Sequence, residues 1–124
     1  MIFKSKVIHG NKHGADIGYP TANLEVNYEL KNALQKPGVY AVKVVLDDME
    51  YGGALFWGKR SLFHDRESVC EVLIIDFTDD IYDKEVSVEV ISFIRDIIQV
   101  ASEDELKQLI REDISKAKTL IDNK

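Results

Sequence analysis

Gly10, Gly14 and Gly18 recur at every fourth residue and run directly into Pro20-Thr21-Ala22-Asn23. Glycine lacks a Cβ and tolerates φ > 0, so its backbone amides can approach a ligand closely. The Thr21 hydroxyl can join a Mg²⁺ shell, and the Asn23 amide can bridge to phosphate oxygens. Gathered in one loop, these groups suit a nucleotide. No G-x-x-x-x-G-K-[ST] motif occurs, so the phosphates would be held by amides, a metal and Lys12 or His13. The plainer reading is a glycine-rich turn between strands, with the Thr21 hydroxyl bonded to backbone and Asn23 in a turn. Pro20 fixes its own φ and holds the threonine in one place, which favours the ligand.

A second candidate is Glu71, set in an apolar stretch between Cys70 and Val72. A carboxylate on a packed face costs free energy unless it has partners. A general base placed against a substrate hydroxyl would account for it, and so would a solvent-facing glutamate. His9, His13 and His64 lack metal-site spacing. Cys70 reads as a small apolar core residue.

The elements that must position these groups follow from periodicity. Phe3 to Ile8 reads as a strand, and Thr21 to Val26 as another. Asn27 to Lys36 is polar and irregular, ending at the Pro37-Gly38 turn signal. Residues 39–46 are rich in β-branched side chains, Asp47-Asp48 marks a turn, and Tyr51 to Trp57 is the partner strand of a hairpin. Ser68 to Phe77 alternates, with Val69, Glu71, Leu73 and Ile75 on one face and Cys70, Val72, Ile74 and Asp76 on the other. Glu85 to Ile94 alternates again. Ser102-Glu103-Asp104-Glu105 has the form of a capping box. Beyond it, Leu106, Leu109, Ile110, Ala117, Leu120 and Ile121 recur at helical spacing. Short strands closed by one amphipathic helix predict a small antiparallel barrel with the helix packed against it.

The 124 residues suit a single domain spanning 1–124, and the net charge of −6 argues against broad nucleic-acid binding. No apolar run is long enough to span a membrane, and Lys4 and Lys6 precede no signal-peptide core. With one cysteine, no internal disulfide forms, which fits a reducing cytoplasm. The expectation is a cytoplasmic monomer.

Taken together, His9-Gly10 through Gly14 and Ile17-Gly18-Tyr19-Pro20-Thr21-Ala22-Asn23-Leu24 resemble the signature of riboflavin kinases. Later landmarks keep that family's order. Pro37-Gly38-Val39-Tyr40-Ala41, Tyr51-Gly52-Gly53-Ala54 with Gly58, Glu71 with Asp76-Phe77, Ile81-Tyr82, Ile94-Arg95 and Asp104-Glu105-Leu106 with Asp113 all resemble its segments. The resemblance implies a mainly β fold, a six-stranded antiparallel Greek-key barrel with a C-terminal α-helix. It implies transfer of the γ-phosphoryl of ATP to the ribityl 5′-hydroxyl of riboflavin, giving FMN, with Mg²⁺ accompanying the nucleotide. By the same resemblance Gly10, Gly14, Gly18, Thr21 and Asn23 bind the nucleotide and Thr21 the metal. Glu71 acts as base with Asn23 beside it, and Arg95 and Tyr82 contact the flavin.

The pattern is also broken in places. Ala15 stands where a basic residue is usual, Phe56 where the family has Asn, and Ser61-Leu62 where it has Pro-Thr. Asp83 replaces a glycine, and Ile97 and Val100 replace the usual Glu and Phe. Apart from Ala15, these changes fall around the flavin and the flap that the resemblance implies, and the nucleotide side is nearly intact. They motivate the alternative of a non-catalytic flavin- or nucleotide-binding module on the same barrel. Phe56, Trp57 and Phe63 are expected either to pack or to stack on a flavin ring. Arg60 and Arg95 are expected either on the solvated surface or against phosphate or flavin.

Overall fold

A computed structural model of the chain describes residues 1–8, 21–60, 64–77 and 81–123. The three glycines of the opening motif, with Lys12, His13 and Pro20, lie outside the described residues. So do residues 61–63 and 78–80.

Six strands form one closed barrel: β1 (Ile2–Ile8), β2 (Ala22–Leu24), β3 (Gly38–Leu46), β4 (Met49–Gly58), β5 (Val69–Ile74) and β6 (Glu85–Arg95). Their order around the barrel is β1-β2-β5-β4-β3-β6, with every pairing antiparallel. Strands β3, β4 and β5 run as a meander, and β6 returns to lie beside β3. That is the Greek-key order, as the resemblance implies. Alternation places one set of side chains inside. Phe3 and Val7 of β1, Val42 and Val44 of β3, Leu55 of β4, Val72 of β5 and Val86 and Val88 of β6 fill the interior. Ser5 also points inward, and its hydroxyl donates to the Glu25 carbonyl at 2.6 Å, so its polar group is not stranded there.

The β3–β4 hairpin turns on Asp47 (φ 50°) and Asp48 (φ 67°). Two left-handed central residues match the twist of the flanking strands. Strand β2 is shorter than the periodicity suggested, and β5 ends at a turn where Asp76 adopts φ 58°.

One expectation fails. The segment read as irregular, residues 27–36, contains helix α1 (Tyr28–Ala33). Asn27 caps it: its Oδ1 accepts the Leu30 N–H at 2.8 Å, and its Nδ2 donates to the Lys4 carbonyl at 2.9 Å. Leu30 and Leu34, four residues apart, are fully buried in the interior cluster. Only Leu30 lies within the helix and Leu34 is its C-cap, so no repeating period announces it.

Helix α2 (Glu103–Asp122) begins at Ser102, whose hydroxyl accepts the Glu105 N–H at 3.2 Å. Glu105 reaches back to the Ala101 N–H at 3.1 Å, one residue earlier than a standard capping box. The helix lies on the outside of the barrel. Ala117 packs on Ala41 and Ala54, small residues that let the backbones approach. At Gly52 an added Cβ would come within 3.0 Å of Ile121 Cδ1, so the glycine makes the seat for the helix's last turn. Among the described residues, no helix is long and apolar enough to cross a membrane.

Candidate active site

The strand registers line up one row of residues across five strands. Asn23 of β2 pairs with Glu71 of β5, Glu71 with Phe56 of β4, Phe56 with Val39 of β3, and Val39 with Arg95 of β6. Directly opposed residues share a face. Their chain neighbours Leu24, Cys70, Leu55 and Trp57 belong to the interior. The row therefore stands on the outside of the barrel, on the face that the sequence assigned to Glu71 and Leu73.

Part of this outer face is roofed. Helix α2 brings Leu106, Leu109 and Ile110 over it, and the segment before the helix adds Ile97, Ile98 and Val100. Val39, Ala54, Phe56 and Leu73 form the floor, and Phe56 supplies the pocket's one ring among the described residues. The half-burial of Leu106, Leu109 and Ile110 has its reason here: they wall a pocket instead of entering a core. Gly58 has φ +141°, and an added Cβ would collide with Ile97 Cδ1. Ile97 can fold down beside the pocket only because a glycine lies beneath it.

The polar groups of the pocket are paired with one another. Glu71 is buried at 8% exposure. Its Oε1 accepts from Arg60 Nη1, and its Oε2 receives a long contact from Thr21 Oγ1 at 3.5 Å. Asp65 grips the same guanidinium, accepting from Nε at 2.7 Å and from Nη2 at 3.0 Å. At the far end Arg95 donates to both carboxylate oxygens of Asp113 at 2.8 Å, and its Nη1 donates to the Asp96 carbonyl at 3.0 Å. Burial pushes the Glu71 carboxyl above the ordinary carboxylate range, opposed by the attraction of Arg60 and reinforced by the nearby charge of Asp65. The Arg60 guanidinium stays charged, since its two carboxylate partners outweigh its own burial. Burial raises the Cys70 thiol far out of the reactive range, which leaves it a core residue.

Several of the residues singled out from sequence thus meet, and others do not. Thr21, Glu71 and Arg95 line one pocket. Asn23 stands opposite Glu71 on the adjacent strand but is not among the described residues that line the pocket. The Tyr82 ring packs against the interior cluster and does not line the pocket. Trp57 belongs to the interior too. Arg60 and Arg95 are not solvated surface residues: their side chains are 10% and 16% exposed. Sequence reading missed Asp65 altogether. Its signal was weak, a carboxylate five residues after an arginine in a loop.

The Thr21 hydroxyl is a hard oxygen donor and fits the shell of a Mg²⁺ ion. It faces the Glu71 carboxylate across 3.5 Å. Among the described residues no cluster of three or more His, Cys, Asp or Glu side chains could cage a metal.

Comparison with known proteins agrees with the geometry. The chain matches the Flavokinase (riboflavin kinase) family over residues 1–121. It is 40% identical over 119 residues to a bifunctional riboflavin kinase/FMN adenylyltransferase of Haemophilus influenzae, covering 95% of this chain and 38% of that relative. It therefore spans well under half the length of that relative. A solved Streptococcus pneumoniae structure described as a macrolide-efflux protein superposes with TM-score 0.79 at 33% identity, covering 94% of this chain and 38% of that one. The barrel also matches a solved riboflavin kinase of Trypanosoma brucei with TM-score 0.67 at 20% identity, covering 98% of this chain and 79% of that one, which shows a shared fold. An outward-facing buried glutamate beside the Pro-Thr-Ala-Asn threonine, on a six-stranded Greek-key barrel, thus has its explanation in descent: the chain belongs to the riboflavin kinase (flavokinase) family.

Proposed function

We propose that the chain is an ATP:riboflavin 5′-phosphotransferase, with Glu71 as its general base. The observation that carries this reading is the buried Glu71 carboxylate facing Thr21 at the mouth of an apolar pocket. Phosphoryl transfer asks little covalent chemistry of the protein; it asks for positioning and charge neutralisation. In this reading the flavin ring lies in the pocket between Phe56 and α2, and its ribityl chain leads toward Glu71. The carboxylate accepts the 5′-hydroxyl proton. The hydroxyl oxygen bonds to the γ-phosphorus, the bond to the β–γ bridging oxygen breaks, and FMN and ADP leave. A base raised above the ordinary carboxylate range by burial is better matched to this proton transfer.

Thr21 would hold Mg²⁺ together with the nucleotide phosphates. When bound, the ion neutralises charge on the transferred group. Gly10, Gly14 and Gly18 would wrap the phosphates with their amides, and Asn23 would steady the nucleotide from β2. Arg95, fixed by Asp113, would border the ring, while Tyr82, packed against the interior cluster, would reach the flavin only from outside this pocket. The same reading has the chain acting as a cytoplasmic monomer on small soluble substrates, without nucleic acid or membrane.

The test is direct. The purified chain with riboflavin, ATP and Mg²⁺ is expected to yield FMN and ADP, resolved by liquid chromatography. Folded protein that gives no FMN with any divalent metal or nucleoside triphosphate defeats the proposal.

A further inference from the structure

The two oxygens of Glu71 have unequal surroundings. Oε1 accepts a charge-assisted bond from Arg60 Nη1. Among the described residues, Oε2 has only the contact from Thr21 Oγ1, whose 3.5 Å length makes it a poor hydrogen bond. Arg60 is itself held from behind. Asp65 accepts from Nε at 2.7 Å and Nη2 at 3.0 Å, and its Oδ2 also accepts the Arg60 backbone N–H at 2.8 Å. The side chains of Arg60 and Asp65 are 10% and 7% exposed. A planar guanidinium gripped on one edge by a carboxylate has little freedom to swing. Asp65 therefore fixes Arg60, and Arg60 fixes the plane of Glu71.

A substrate hydroxyl arriving at Oε1 would have to break a buried ion pair. At Oε2 it displaces one long hydrogen bond. Resting on the kinase reading, we propose that Arg60 and Asp65 are positioning residues that make Oε2 of Glu71 the oxygen that takes the proton. The step balances. The proton passes from the ribityl oxygen to Oε2, the freed electron pair forms the bond to the γ-phosphorus, and the bond to the ADP oxygen breaks. Arg60 touches no reacting atom; it holds the carboxylate that does.

The experiment compares R60A, R60K and D65N with wild type in steady-state turnover, with KM measured separately for riboflavin and ATP. Misplacing a reacting group by about 1 Å costs about 10²-fold, so R60A is expected to lower kcat by that order. Both KM values should stay within about threefold, since ground-state binding is untouched. D65N, which loosens Arg60 without removing its charge, should lower kcat about tenfold. R60K should recover part of the loss, and added guanidinium should partly rescue R60A. A rise in KM for ATP with kcat unchanged would make Arg60 a phosphate contact and overturn the proposal. Lowered stability with unchanged kcat would make it a loop fastener, with the same consequence. If R60A does not fold, D65N carries the kinetic test. If wild type makes no FMN, the kinase reading fails on its own, and the fork is judged in the ligand-free protein. There the Arg60 Nε–H resonance, identified by its loss in R60K, should exchange slowly in wild type and rapidly in D65N. Equal exchange in the two proteins would refute the orienting role.

Discussion

At the residue scale, the site is organised by pairing buried charges. Glu71 answers Arg60, Arg60 answers Asp65, and Arg95 answers Asp113. Leaving any one buried charge unpaired would be costly. Glu71 nevertheless bears a net cost when ionised, because burial outweighs the help from Arg60 and Thr21. The folded chain thus holds the Glu71 proton more tightly than the unfolded chain does. Its stabilising share is complete below the ordinary carboxylate range and is lost as pH rises through the elevated folded value. E71Q cannot ionise and escapes that loss. In urea unfolding, E71Q is expected to gain stability relative to wild type as pH rises from acid to neutral, with little difference at acid pH. The reverse trend would mean that ion pairing, not burial, governs this carboxylate.

At the scale of elements, two helices serve the barrel differently. Helix α2 is long and amphipathic, and its capping box and apolar stripe were legible from sequence. What the pattern did not distinguish is that Ala117 packs on the barrel while Leu106, Leu109 and Ile110 wall a pocket. Helix α1 was not legible, because its six residues hold one buried side chain, Leu30, and no repeat. Its stability leans on Asn27, which caps the helix and ties it to β1 through the Lys4 carbonyl. N27A is expected to cost about 1 kcal/mol in urea unfolding, the usual worth of an N-cap. N27D should recover the cap but not the tie to Lys4, and so fall between. An N27A protein as stable as wild type would show that Leu30 and Leu34 alone hold the helix in place.

At the scale of the whole molecule, strand alternation made the barrel readable, since each strand carries its inside and outside in its own residues. The candidate site is assembled differently. The row from Asn23 through Glu71, Phe56 and Val39 to Arg95 exists only once five strands are in register. Sequence placed Glu71 and Leu73 on one face but could not say that this face would be buried. The cover comes from α2, far downstream in the chain. The contact of Asp65 with Arg60 depends on how the loop between β4 and β5 closes, which no periodicity encodes. The glycines at 10, 14 and 18 carried the nucleotide expectation, yet they lie outside the described residues. On the proposed function, proton removal from the acceptor hydroxyl falls to Glu71.

Turnover by E71Q beside wild type tests that dependence most directly, with FMN and ADP counted in the same reaction. The account predicts one FMN per ADP from wild type, and a kcat in E71Q lower by about 10²–10⁴-fold, the usual contribution of a general base, at nearly unchanged ADP affinity. An E71Q protein that makes FMN as fast as wild type would contradict it.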